Sequence, residues 1–252
     1  MEEVRATRYV LPLREGGSLP ALMEASDDGM YVVKFRGAGQ GPKALVAEVV
    51  AGSLAQRLGL QVPEMVLVEV DPVLGRAEPD PEIQDLIAAS AGLNFGLDFL
   101  PGALPFEPAA GIPVDPGLAA SVVWFDALVT NVDRTPRNPN LLVWHERLWL
   151  IDHGAALHVH HQTWDMAPFA SRPFEAIRDH VLLPCAGSLL EADARLAPML
   201  TRSVLEEVAG LIPSVWLEED AEARRAAYVD YLARRLEAPR AFAEEAERAR
   251  AA

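Results

Sequence analysis

The chain has 252 residues, half of them apolar and 23% charged, a globular composition that excludes an intrinsically disordered chain. Its formal charge of −15 at pH 7 argues against non-specific binding to nucleic acid or to an anionic membrane, because both need a basic surface. A single cysteine, Cys185, excludes an internal disulfide framework and fits a reducing compartment. No run of about 18 apolar residues, the length a membrane span needs, occurs, and the opening MEEVRATRYVLPLREGG lacks the apolar core of a signal peptide. The expectation is therefore a cytoplasmic protein with no membrane and no nucleic-acid partner. A chain of this length buries either one large core or two lobes that share a cleft; two lobes is the reading taken here.

The first third reads as strands. RYVLPL (8–13) and LPALMEA (19–25) flank REGGS, where Gly16 and Gly17 allow a tight turn. SDDG (26–29) turns the chain into MYVVKF (30–35), a strand with Lys34 near its end. After the loop RGAGQGP, the proline-free, Ala- and Leu-rich segment 43–59 predicts a helix closed by Gly59. EMVLVEV (64–70) is a further strand. Residues 71–92 are a proline-bearing loop with a short helix, and 92–106 a strand that runs into a Gly/Pro-rich connector. Prolines 101, 105, 108, 113 and 116 put the lobe boundary there, giving an N-terminal lobe of residues 1–106 and a C-terminal lobe of residues 107–252. GLAASVVWFDALVTN (117–131) is apolar on nearly every side and predicts a buried helix. LLVW and LWLI, either side of His145, Glu146 and Arg147, predict a hairpin. From about residue 172 onward a helical remainder is expected, ending in a charged tail.

Chemistry concentrates in NVDRTPRNPNLLVWHERLWLIDHG, residues 131–154. Asp133 and Asn138 lie five apart in a loop that Pro136 keeps from becoming a helix, so both side chains can face one point. Asp152 follows four apolar residues, Leu148 to Ile151, and stands two before Gly154. Hard oxygen donors in such small number suit Mg2+, which takes its remaining ligands from water and phosphates. Each residue alone also has an ordinary role as a turn or strand cap; together they meet the needs of phosphoryl transfer, which asks for metal ligands, a carboxylate by the attacking hydroxyl and a cation on the phosphates. Glu48 adds a second line. It is the only charged residue between Ala44 and Leu54, and a carboxylate among apolar neighbours needs a cation. Lys34, fourteen residues earlier in a strand that otherwise buries well, is the nearest one.

Residues 131–154 follow the pattern NxDRxxxN, hairpin, IDxG, which resembles the catalytic and metal-binding loops of HipA-like serine/threonine kinases and of phosphoinositide-3/4-kinase-like enzymes. With YVVKF and the Glu-bearing helix after it, the chain resembles a short, stand-alone HipA-like kinase over about residues 8–235. The resemblance implies an α+β, bilobal, protein-kinase-like fold, with a strand-rich N-terminal lobe carrying one helix and a helical C-terminal lobe. It implies ATP and Mg2+ as cofactors, Asp133 as the catalytic carboxylate, and Asn138 and Asp152 as metal ligands that also hold the nucleotide. It further implies Lys34 on the α/β-phosphates, Glu48 as its partner, and Gly16 and Gly17 over the phosphates. Adenine is expected near LDFLPG (97–102). Two departures stand out: His153 where many kinases have Phe, and no APE-like segment after Gly154.

The acceptor, a protein or a small molecule, is not legible, and a nucleotide-binding pseudokinase scaffold, a small-molecule or lipid kinase, and a nucleotidyl transferase stay open as alternatives. The cluster His158, His160 and His161 lacks the separated ligand pairs of a zinc site, so no zinc is expected. Cys185 is expected in the core, and Arg134 and Arg137 either on phosphate or substrate or as surface balance.

Overall fold

The computed structural model describes residues 1–13, 19–39 and 41–252. The glycine hairpin with Gly16 and Gly17 lies outside the described residues. Five strands, β1 (Glu2–Pro12), β2 (Ala21–Ala25), β3 (Met30–Lys34), β4 (Met65–Val70) and β5 (Gly92–Asp98), close a barrel in the order β1-β2-β3-β5-β4. The β1–β4 pair is parallel and the others antiparallel. Alternation along each strand sends Val4, Ala6, Met23, Tyr31, Val33, Val66 and Val68 into one buried cluster. The same alternation turns Lys34 away from that interior; its partner across the ladder is Phe95, which belongs to a second, larger apolar cluster.

α1 (Pro42–Arg57) begins with proline at its first turn and ends before Gly59, whose φ of 78° supplies the left-handed turn. Every residue from Leu45 to Ala55 is buried, Glu48 included. α2 (Pro81–Ala89), started by Asp80 accepting from the Glu82 amide, lays Ile83 and Ile87 against the barrel cluster. Residues 1–106 thus carry two α-helices, the long and the short one read from the sequence, one more than the kinase resemblance implies. In the connector β6 (Leu104–Pro105) pairs with β7 (Leu141–Trp144), which pairs with β8 (Arg147–Leu150), so the proline-rich stretch adds a strand to the expected hairpin.

α3 (Pro116–Leu128) is capped by Asp115 accepting from the Leu118 amide at 2.8 Å and runs through the larger cluster, which extends from α1 to the C-terminal helices. Residues 151–188 form turns and short 3-10 pieces; from 172 to 188 this differs from the helix expected, as Pro173 and Pro184 remove amide donors a helix would use. Helices resume with α4 (Leu189–Leu196), α5 (Arg202–Gly210), α6 (Ala221–Leu236) and α7 (Ala241–Ala251), the last two separated around Pro239. Cys185 is exposed instead of core, its thiol donating to the Leu182 carbonyl at 3.2 Å. Among the described residues no helix is long and apolar enough to cross a membrane.

Candidate active site

The outward face of β3 and the buried middle of α1 bring Lys34 and Glu48 into direct contact. The Lys34 ammonium donates to Glu48 Oε1 and, at 2.5 Å, to Asp152 Oδ1. Glu48 is fully buried, and its second oxygen accepts from the His153 amide at 3.0 Å. Through this one carboxylate α1 holds both the strand lysine and the segment that follows β8. Burial alone would push the Glu48 carboxyl up; the Lys34 charge and then the His153 hydrogen bond outweigh it and hold the group at about 2. Burial likewise works against the Lys34 ammonium, and the charges of Glu48 and Asp152 overcome it, so its pKa is raised. Asp152 sits at φ 54°, a left-handed conformation unusual for a residue with a side chain, and its side chain stays 42% exposed. Gly154 explains the glycine of IDxG: a Cβ there would lie 3.3 Å from Glu48 Oε1 and 3.7 Å from Asp152 Oδ1.

The loop after α3 places the other two predicted residues side by side. Thr135 and Asn138 exchange backbone hydrogen bonds of 3.1 Å across Pro136 and Arg137, a tight turn with proline at its second position. That turn carries Asn138 back onto Asp133, whose Oδ2 accepts from Asn138 Nδ2 at 3.0 Å. Asn131 steadies the start by accepting the Asp133 amide at 3.1 Å.

Arg134 is 1% exposed and touches neither surface nor cleft, so neither role expected for it holds. Its Nε donates to Asp126 Oδ2 at 2.6 Å, while Nη1 donates to the carbonyls of Asn140 and Ile151. The arginine therefore ties the Asp133 loop to the residue before Asp152, and the Ile151 amide returns a bond of 3.1 Å to the Asn140 carbonyl. Asp126, fully buried in α3, also accepts from Asn131 Nδ2 at 2.9 Å and His180 Nε2 at 2.9 Å. The Leu182 amide donates to His180 Nδ1 at 3.1 Å, which fixes the neutral tautomer with its proton on Nε2. Burial raises the Asp126 carboxyl, but the Arg134 charge and the His180 hydrogen bond hold it well below the usual carboxylate range. Reading for metal and phosphate ligands overlooks Asp126 and His180. The signal for Asp126 was present all the same: it is the only charge between Leu118 and Asn131, the argument that singles out Glu48.

His153 behaves as an aromatic core residue, 1% exposed and edge-on to Phe125 with ring centroids 6.0 Å apart. His160 is fully buried and bonded to Tyr228 Oη at 2.9 Å. Its pKa is depressed to about 2, by burial first and then by His161, Lys43 and His158, and burial lowers that of His180 against the pull of Asp126. Both histidines are neutral in the fold and protonate near pH 6.5 when unfolded. Groups depressed in this way contribute stability above their unfolded pKa and lose it as pH falls. Unfolding free energy from urea titration is thus expected to fall between pH 6.5 and 5, by up to ~1.4 kcal/mol per pH unit for His160, with His180 acting in the same direction. A flat profile there would contradict neutral, buried His160 and His180.

A model of the HipA-like kinase family matches residues 9–241. The chain belongs to the HipA-like kinase family, and this membership supports a kinase function. Its fold is similar to that of the crystal structure of the proinflammatory kinase CtkA from Helicobacter pylori, with a TM-score of 0.54 over 91% of this chain and 94% of that one. At 14% identity the likeness is one of fold. No curated protein matches the sequence.

Proposed function

We propose that this chain is an ATP- and Mg2+-dependent phosphotransferase with a hydroxyl acceptor, of the HipA-like serine/threonine kinase kind. The observation that carries the reading is the Lys34 ammonium held between Glu48 and Asp152, in a chain whose Asp133 and Asn138 are paired on a loop that Arg134 fastens to the same segment. In this reading residues 1–106 and 107–252 are two lobes, the nucleotide lies between them with adenine near 97–102, and the protein is cytoplasmic. Lys34 lies on the α/β-phosphates and is kept charged and aimed by Glu48. Asp133 orients the acceptor hydroxyl and takes its proton as the oxygen attacks.

The donor set suits Mg2+. Asn138 turns its Nδ2 to Asp133, which leaves Oδ1 for a cation, and Asp152 keeps a partly exposed carboxylate. These are two hard oxygen donors, as suits an ion that takes its remaining ligands from phosphates and water. The metal, when bound, would neutralise charge on the phosphates undergoing transfer.

Asp152→Ala is expected to weaken binding of Mg2+–ATP by at least about tenfold, the loss of one charge-assisted contact, with much less effect on ATP in the absence of metal. Calorimetric titration with and without Mg2+ checks this. Unchanged Mg2+–ATP affinity in the variant would show that Asp152 is not a ligand.

A further inference from the structure

The residues just past Asp152 gather cations that phosphoryl transfer, as described, leaves without a task. Lys43, one of only two lysines in the chain, stands at the start of α1; its ammonium donates to the His160 carbonyl at 2.7 Å and lies 4.5 Å from the centre of the Trp164 ring. Arg224, from α6, sets its guanidinium carbon 4.0 Å from the same ring. Among the described residues neither pairs with a carboxylate, in a chain whose formal charge is −15. His161, half-buried, shares a 3.0 Å hydrogen bond with His160. Exposed His158 is bonded to Gln162 at 3.2 Å.

Two cationic side chains thus meet on one ring in a chain of the opposite net sign. His161 is depressed by burial first and then by Lys43 and His158, and His160 feels the same two neighbours. A planar guanidinium, an ammonium and ring N–H groups are the donors that recognise carboxylate or phosphate oxygens. Contact with Trp164 orders both cations beforehand, which lowers what a ligand must spend in fixing them. An acidic protein repels acidic substrates at a distance, so accepting one requires such a local inversion beside the reacting groups.

We propose that Lys43, Arg224 and His161, arranged about Trp164, form an oxyanion subsite for the acceptor, so that the hydroxyl compound phosphorylated by this chain carries a carboxylate or phosphate near its reacting oxygen. The assignment rests on the phosphotransfer reading above for the identity of its occupant, and on the geometry of the cluster for its chemistry. It gives a role to the HVHH segment, whose buried member, His160, holds His161 in place from the Tyr228 side.

The test uses the whole chain and three probes: a serine peptide flanked by glutamates, the same peptide flanked by lysines, and glycerol phosphate as a small phosphorylated alcohol. Binding is followed by tryptophan fluorescence, with Trp164→Phe as the control for the reporter, and by calorimetry. The glutamate peptide or glycerol phosphate is expected to bind, and whichever does identifies a carboxylate or a phosphate source. Lys43→Gln and Arg224→Gln should each weaken that binding about tenfold, Lys43→Arg should retain it, and Mg2+–ATP affinity should not change. The proposal is overturned if no probe binds, if the lysine peptide binds as well as the glutamate peptide, if both variants bind like the parent, or if the variants lose Mg2+–ATP instead, which would give the cations to the nucleotide. A parent that binds the glutamate peptide yet never turns over Mg2+–ATP would sink the phosphotransfer reading and leave the subsite standing.

Discussion

Lys34→Met is expected to lower turnover by about two to three orders of magnitude, the usual effect of removing a fixed charge from developing negative charge in a dry site. It should also lower stability, since Glu48 is fully buried and would lose its main cation, and breaking a buried pair by removing one partner typically costs ~3–5 kcal/mol. Replacing Glu48 with Gln removes the stranded charge, so the double variant should be more stable than the sum of the single losses, with a coupling of ~1–3 kcal/mol. Urea unfolding of the four proteins in the cycle measures it. Additive losses would mean that Lys34 and Glu48 do not act as a pair in solution.

Arg134→Ala should have the largest effect on the fold. The guanidinium is 1% exposed. Its removal leaves Asp126 with the Asn131 and His180 side-chain donors and strips donors from the Asn140 and Ile151 carbonyls. A loss of ~3–5 kcal/mol follows from an uncompensated buried carboxylate. Arg134→Lys should recover only part of it, because one ammonium cannot reach the carboxylate and two carbonyls with the geometry of a planar fork. The pH dependence should change as well. In the parent Asp126 stays ionised far below the normal carboxylate range, held by Arg134 and His180 against its burial; without Arg134 its depressed pKa moves up, and the stability it contributes disappears at higher pH as acid is added. An Arg134→Ala protein as stable as the parent, with the same acid limit, would show that the buried network does not hold the loop.

Much of this was legible before any coordinates, for physical reasons that differ by element. Short apolar runs specify β2, β3 and β4, and α1 and α3 are unbroken apolar helical runs, α1 bounded by Pro42 and Gly59 and α3 started by Asp115 and Pro116. Glu48 declares itself because a lone charge in an apolar helix must be answered. The expectation of helix fails between residues 172 and 188, where Pro173 and Pro184 forbid it locally; there a few missing amides outweigh the good helix formers around them. β6 escaped notice since two residues of a proline-rich connector carry no periodicity and become a strand only by pairing with β7. Arg134 could not be placed from the loop alone, because its partners, Asp126 and the carbonyls of Asn140 and Ile151, are set by tertiary packing. Cys185 was expected inside for its residue type, but it ends a short 3-10 turn at the surface.

The most direct measurement of the proposed activity incubates the purified chain and its Asp133→Ala variant with Mg2+ and with ATP labelled separately at the α- and the γ-phosphate, following label on protein, on added acceptor and in released ADP. The account predicts γ-label transfer or ADP release by the parent, its loss in Asp133→Ala, and Mg2+–ATP binding by both. Transfer of the α-label would contradict it in favour of nucleotidyl transfer, and γ-transfer undiminished in the variant would remove Asp133 from the chemistry.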